Sequence, residues 1–185
     1  MAIGEISEYI HSVTLSPELS QKQLQKVVDH CKNIYPKHDF EFLIQGNLEA
    51  MVSKDCFYNL LPGKEFVKKL NPYCHLGIKD SRNRIFPVEI DQECRTHILN
   101  SVELCLIDYL PKLSNMGLDN LIIDARNKPV GYIQNILPIY QKARELTVAG
   151  VPNLGDQLVL LKKRVKKISN GGITTGNFIR GVRSD

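Results

Sequence analysis

The run GIKDSRNRIFPVEIDQECRTHILNSVELCLID, residues 77–108, decides how the chain reads. Ile78 to Asp80 and Ile85 to Ile90 flank the polar connection Ser81-Arg82-Asn83-Arg84, and Phe86, Val88 and Ile90 alternate. That pattern predicts a β-hairpin. Pro87 lacks an N–H and predicts that the second arm is an edge strand. Thr96 to Leu99 reads as a short strand. Asn100 then reads as a helix N-cap with Glu103 as its capping-box partner. Leu106, Leu110 and Leu113 mark the helix, which Pro111 should kink or shorten.

Upstream, strand and helix alternate. Ser12 to Leu15 reads as a strand. Ser20 caps a helix whose face carries Leu24, Val27, Val28 and Cys31. Phe40 to Gln45 is a second strand, and Gly46-Asn47 turns it into a helical stretch, Leu48 to Lys54. Residues 59–76 read as loop. Downstream, Leu121 to Asp124 is a buried-type strand. A helix from Pro129 presents Val130, Ile133, Leu137 and Tyr140, with Pro138 as an internal kink. Leu158 to Ile168 is a last helix, and Gly171 to Gly176 a loop. This order predicts an α/β fold: a partial (β/α) barrel-like, largely parallel sheet with a β-hairpin insert. No internal repeat is evident.

The chain has 185 residues, 43% hydrophobic and 24% charged, with net charge +4. This is globular composition, and no apolar run approaches the roughly 20 residues a spanning helix needs. No signal peptide is expected. Seven basic and two acidic residues fall in 151–185, which leaves the first 150 residues at −1. We expect residues 1–150 to form the α/β domain and 151–185 a helical basic C-terminal extension. Its run Lys162, Lys163, Arg164, Lys166, Lys167 is either a solvated helix face or a phosphate-binding surface for RNA.

Five cysteines, an odd number without a secretion signal, predict reduced thiols in the cytoplasm and no disulfide framework. Cys31 completes an apolar stripe and reads as core. Cys56, Cys74, Cys94 and Cys105 fall on loops or element ends, where soft thiolates could ligate an iron–sulfur cluster or zinc, or nothing at all. The usual hydrolase, zinc-protease and nucleotide-binding motifs are absent.

GNLEAMVSKDC (46–56), the run from 77 to 113, LIIDAR (121–126) with YIQNILPIYQKARE (132–145), and GGITTGNFIRGV (171–182) form an ordered series. The series resembles the second half of the collagenase-like peptidase family of unknown catalytic type, number thirty-two. TLSPELS (14–20) is similar to the segment ahead of that half. The resemblance implies a cysteine-held iron–sulfur cluster and oxygen-independent hydroxylation of RNA or a metabolite. By position it assigns Cys56, Cys74, Cys94 and Cys105 as ligands. Glu49 stands where many relatives carry another cysteine, and one cysteine stands near 74 where relatives often have two. Asp124 and Arg126 match the family's strand-end acid–Arg segment and read either as a pair that binds an anionic substrate or orients a ligand, or as a surface ion pair next to a turn. Arg95 and His97 flank Cys94 and are expected to serve the cluster or a carboxylate substrate.

Two other functions compete. One is a peptidase with a free cysteine or Ser53 as nucleophile. The other is a non-catalytic subunit that binds RNA or a partner. A partial barrel predicts a homodimer, or a separate N-terminal-half chain, at the edge of Ser12 to Leu15. Ile3, Ile6 and Ile10 could cover that edge instead.

Overall fold

The computed structural model describes residues 9–57, 76–126, 128–169 and 171–181. The strands are β1 (Ser12–Leu15), β2 (Asp39–Ser53), β3 (Leu76–Lys79), β4 (Ile85–Ile90), β5 (Thr96–Cys105), β6 (Asn120–Ile123) and β7 (Ile173–Thr174). The helices are α1 (Gln21–Ile34), α2 (Leu110–Ser114), α3 (Gly131–Ala149) and α4 (Leu154–Ile168), with a 3-10 turn at Ile107–Tyr109. Ile3 and Ile6 lie outside the described residues, as does Cys74.

All seven strands join one sheet. Phe42 of β2 pairs with Leu15 of β1 on one side and Leu121 of β6 on the other, both in parallel. These three strands are the barrel-like part. Between them the chain makes one right-sized crossover, α1. Ser20 caps it: its Oγ accepts from the Gln23 N–H, and the Gln23 side chain accepts from the Ser20 N–H. Leu24, Val28 and Cys31 are buried on its inner face, as their spacing predicts.

The rest of the sheet differs from the expectation. β2 pairs antiparallel with β5, β5 with β4, and β4 with β3, so the sheet is mixed and the barrel is not closed. β2 does not turn into a helix at Gly46. It runs on to Ser53, paired with β5 from Gln45–Cys105 to Ser53–Thr96, with irregularities between Asn47 and Met51. Residues 48–54 have helix-compatible composition, but partners on β5 override so weak a preference. Gly46 permits the path: at φ 138°, a Cβ there would sit 2.7 Å from the Cβ of Asp124.

β5 likewise continues through Asn100 and Glu103 to Cys105. Neither residue caps a helix. Pro111 falls in the first turn of α2, where its missing N–H costs nothing, and the helix is short, Leu110–Ser114, rather than kinked. The hairpin β3–β4 is where it was expected, but β4 is internal, between β5 and β3, and Pro87 sits one residue beyond the stretch paired with β5.

One core joins the elements. Phe40, Phe42 and Ile44 of β2 meet Leu104 of β5, Ile136 and Ile139 of α3, Leu158, Leu161 and Val165 of α4, and Phe178. The basic C-terminal stretch is therefore not an appended segment, because α4 is packed into this core. α3 continues past Pro138, and its buried face is Tyr132, Ile136, Ile139, Tyr140 and Ala143. Of the four apolar residues read on this helix, Tyr140 is buried and Val130, Ile133 and Leu137 are exposed. None of the helices is long and apolar enough to cross a membrane, among the described residues.

Candidate functional site

Two of the four assigned cysteines meet. Thr96, buried at the start of β5, donates from Oγ1 to the Asp55 carbonyl (2.7 Å) and accepts from the Phe57 N–H (3.1 Å). This holds residues 55–57 against the turn that precedes β5. Cys56 and Cys94 are joined there by a disulfide, with Cα atoms 5.1 Å apart. The expectation of reduced thiols is corrected for these two and stands for Cys31 and Cys105, which are free and buried.

Cys105 is not part of this corner. It is the last residue of β5, nine residues beyond Thr96, or roughly 30 Å along an extended strand. Its thiol lies 3.5 Å from the Tyr140 hydroxyl, and burial pushes its pKa up. Read as strand instead of helix, the segment carries Cys105 to the far end of the sheet.

The turn that carries Cys94 has a twin. In 80–84 (DSRNR), Asp80 Oδ1 accepts from the Arg82 and Arg84 N–H groups, and Arg84 Nε donates to Asp80 Oδ2. In 91–95 (DQECR), Asp91 makes the same bonds with Glu93 and Arg95. The fourth residue is left-handed in both, Asn83 at φ 61° and Cys94 at φ 61°. This short repeat, D-x-x-x-R, is legible in the sequence once the spacing is compared.

Arg95 is taken by this turn: it binds Asp91 at 2.7 Å and Glu93 at 3.2 Å. Asp91 is held well below the usual carboxylate range, chiefly by the Arg95 N–H and then by the Arg95 and His97 side chains. His97 Nδ1 faces Glu49 at 2.7 Å and its Nε2 faces Asp91 at 3.2 Å. The Glu49 bond is the main cause that raises its pKa. Both ring nitrogens are thus held by carboxylates, and Ser53 Oγ bonds Asp55. Among the described residues, neither His97 nor Ser53 belongs to a nucleophile–base pair of the kind a peptidase needs.

Asp124 and Arg126 pair at the end of β6, with Arg126 Nη2 2.8 Å from Asp124 Oδ2. Asp124 is tied to the sheet by its N–H, which donates to the Gln45 carbonyl. Arg126 also feels the charges of Glu89 and Glu49. Glu49 thus acts on both Arg126 and His97.

The most buried charge was not anticipated. Glu103, 1% exposed, accepts at Oε1 from Lys128 (2.6 Å). Its Oε2 accepts from Gln45 Nε2 (2.6 Å), the Tyr132 hydroxyl (2.6 Å) and Ser169 Oγ (2.8 Å). Tyr140 donates to Gln45 Oε1 at 2.8 Å. Burial, then the Glu103 bond, raises the pKa of Tyr132. A glutamate inside the otherwise apolar VELCLI is the signal that could have marked it. Glu103, Lys128 and Tyr132 line a cavity of about 350 Å³. Lys128 also lines a larger one, about 780 Å³, between the hairpin and the sheet. Leu76, Ile85, Pro87, Val88 and Pro129 are its apolar walls, and Asn47, Ser101 and Arg84 are polar members of its lining. Gly171, at φ 86°, closes against the Ser101 carbonyl, where a Cβ would come within 2.3 Å.

On α4, Lys162 is partly buried and ion-paired to Asp108. Lys163, Arg164, Lys166 and Lys167 are exposed and have no ion pair to a described residue. No group of three or more histidine, cysteine or acidic side chains able to hold a metal is assembled among the described residues.

The chain is similar to the tRNA hydroxylation protein P of Escherichia coli (strain K12), at 26% identity over 217 aligned residues. The alignment takes in 94% of this chain and 46% of that protein, so the chain spans about half the length of the curated relative it matches. No solved structure matches it. The model of peptidase family U32 matches residues 7–184, nearly the whole chain, and the chain belongs to that family.

Proposed function

We propose that the chain handles RNA in an oxygen-independent tRNA hydroxylation reaction. The exposed face of α4 carries this reading. Lys163, Arg164, Lys166 and Lys167 recur at i, i+3 and i+4, so they share one side of the helix, uncommitted to carboxylates of the described residues. Such a face neutralises phosphates. The cavity of about 780 Å³ supports the same reading. Its walls suit the flat face of a base. Asn47 Oδ1 and Ser101 Oγ make no hydrogen bond to a described residue and stand ready for a base edge.

The donor set for a cluster is smaller than the resemblance implies. Four cysteines commonly hold such a cluster. Here Cys56 and Cys94 would hold it in their reduced form, with Cys74 as a third ligand, and Cys105 is too distant. A cluster there would supply one-electron redox chemistry, or zinc a purely structural tie. Arg95 and His97 brace the corner through their ion pairs with Asp91, Glu93 and Glu49, while Asp124 and Arg126 pair with each other at the end of β6. A second copy, or an N-terminal-half chain, would pair at the outer edge of β1.

Fluorescence anisotropy with tRNA tests the proposal. Lys163→Glu with Lys166→Glu should weaken binding at least tenfold and flatten its salt dependence. Unchanged affinity in the double variant would sink it. Iron, sulfide and zinc analysis after oxygen-free purification tests the cluster.

A further inference from the structure

The twin turns differ at one informative position. Asn83 and Cys94 share φ 61°, a left-handed conformation that asparagine tolerates well and cysteine poorly. The second turn thus carries an ill-suited residue whose sulfur is bonded to Cys56. A disfavoured backbone at an exposed position points to a role for the side chain. Cys94 is exposed and Cys56 half-buried, so reagents reach the pair, whereas Cys31 and Cys105 are buried.

We propose that Cys56 and Cys94 form a reversible thiol–disulfide exchange site that takes a dithiol reductant. A thiolate of the reductant attacks Cys94 sulfur, the bond to Cys56 breaks, and Cys56 leaves as a thiolate that takes up a proton. The reductant's second thiolate then attacks the reductant sulfur of the mixed disulfide. Cys94 is released and protonated, and the reductant ends as a disulfide. The chain gains two electrons and two protons, and the dithiol loses them.

The loop closed by this bond gives the exchange a consequence. Leu76, Gly77, Ile85, Pro87 and Val88, which make the hairpin wall of the larger cavity, all lie between Cys56 and Cys94. Oxidation ties residue 56, just past β2, to the turn between β4 and β5, and so closes a covalent loop that contains that wall. Reduction opens that loop. The larger cavity is thereby stiffer in the oxidised protein. The inference concerns the cavity invoked for RNA above but does not need RNA to bind there.

The test uses the full chain, chelator-treated and without RNA, equilibrated in mixtures of reduced and oxidised dithiothreitol. Iodoacetamide trapping and peptide mapping should show Cys56 and Cys94 becoming labelled together, in one two-electron transition. Amide hydrogen exchange across residues 76–90 should quicken several-fold on reduction. Cys94→Asn should abolish the transition, exchange at the reduced rate under both conditions, and fold at least as stably as the reduced wild type. Labelling of either cysteine regardless of the redox buffer, a bond from Cys56 to Cys74 instead, or identical exchange in both states would overturn the proposal. Failure of tRNA binding would leave it standing, and its failure would leave the tRNA reading standing.

Discussion

Glu103 and Asp91 are both carboxylates on or beside β5, and each accepts four hydrogen bonds from side chains or main-chain N–H groups. Their partners come from different distances. Asp91 is served entirely by residues 93, 95 and 97, so a short stretch of chain organises it. Glu103 draws on Gln45, Lys128, Tyr132 and Ser169, from three separate parts of the chain. Their surroundings differ as well: the Glu103 side chain is 1% exposed and that of Asp91 24%. Where water can replace a lost donor, an ion pair contributes little. Where it cannot, removing one partner leaves the others desolvated and unpaired.

The comparison breaks most readily at Glu103. Glu103→Ala should cost about 3–5 kcal/mol in urea denaturation, because it strands Lys128 and three polar groups. A loss under about 1 kcal/mol would place Glu103 with the surface carboxylates. Tyr132→Phe removes one donor and keeps the ring, and should cost about 1–2 kcal/mol by the same measurement. At the exposed site the effects are smaller and are read by titration. His97 should titrate in NMR above the ordinary value of about 6.5, and Glu49→Gln should lower its midpoint more than Asp91→Asn does. Because its folded pKa is raised, the stability His97 contributes is fully present below its unfolded pKa and fades as pH rises through the folded one. Asp91→Asn should lower the neutral-pH urea midpoint only slightly, far less than Glu103→Ala, because water can replace its partners. Asp91 is the depressed case, so its contribution is lost only as the solution is acidified below the ordinary aspartate range.

The same contrast explains what the sequence made legible. β1, α1, the β3–β4 hairpin, β6 and α4 follow from caps, turns and periodicity within a dozen residues. The second halves of β2 and β5 do not. Ser53 meets Thr96 and Gln45 meets Cys105 only when the hairpin has been folded back. Locally, Asn100 followed by Glu103 satisfies a capping-box rule, and the rule loses to strand pairing across the sheet. That one misreading placed Cys105 in a helix near the other cysteines and hid Glu103 as a cap. On α3, of Val130, Ile133, Leu137 and Tyr140 only Tyr140 is buried, because the buried face is set by two tyrosines that reach the network. The family resemblance was carried by long motifs and held over residues 7–184. Its ligand assignment was made residue by residue, and among the described cysteines it meets the geometry at Cys56 and Cys94 but not at Cys105.

The hydrogen bonds around Gln45 run in a single sense. The Tyr140 hydroxyl gives its proton to Gln45 Oε1, the Gln45 amide gives one to Glu103, and Tyr132, Ser169 and Lys128 give theirs to the same carboxylate. Turning the amide over would set its NH₂ against the Tyr140 oxygen and its carbonyl against a carboxylate. Gln45 therefore acts as a polarity marker that gives the cluster one arrangement of its hydrogens. The arrangement is a sink with no outlet, since Glu103 has no proton to pass on while it is ionised. Tyr132 and Tyr140, eight residues apart on α3 with Pro138 between them, are thereby keyed to one rotational setting of the helix against the sheet.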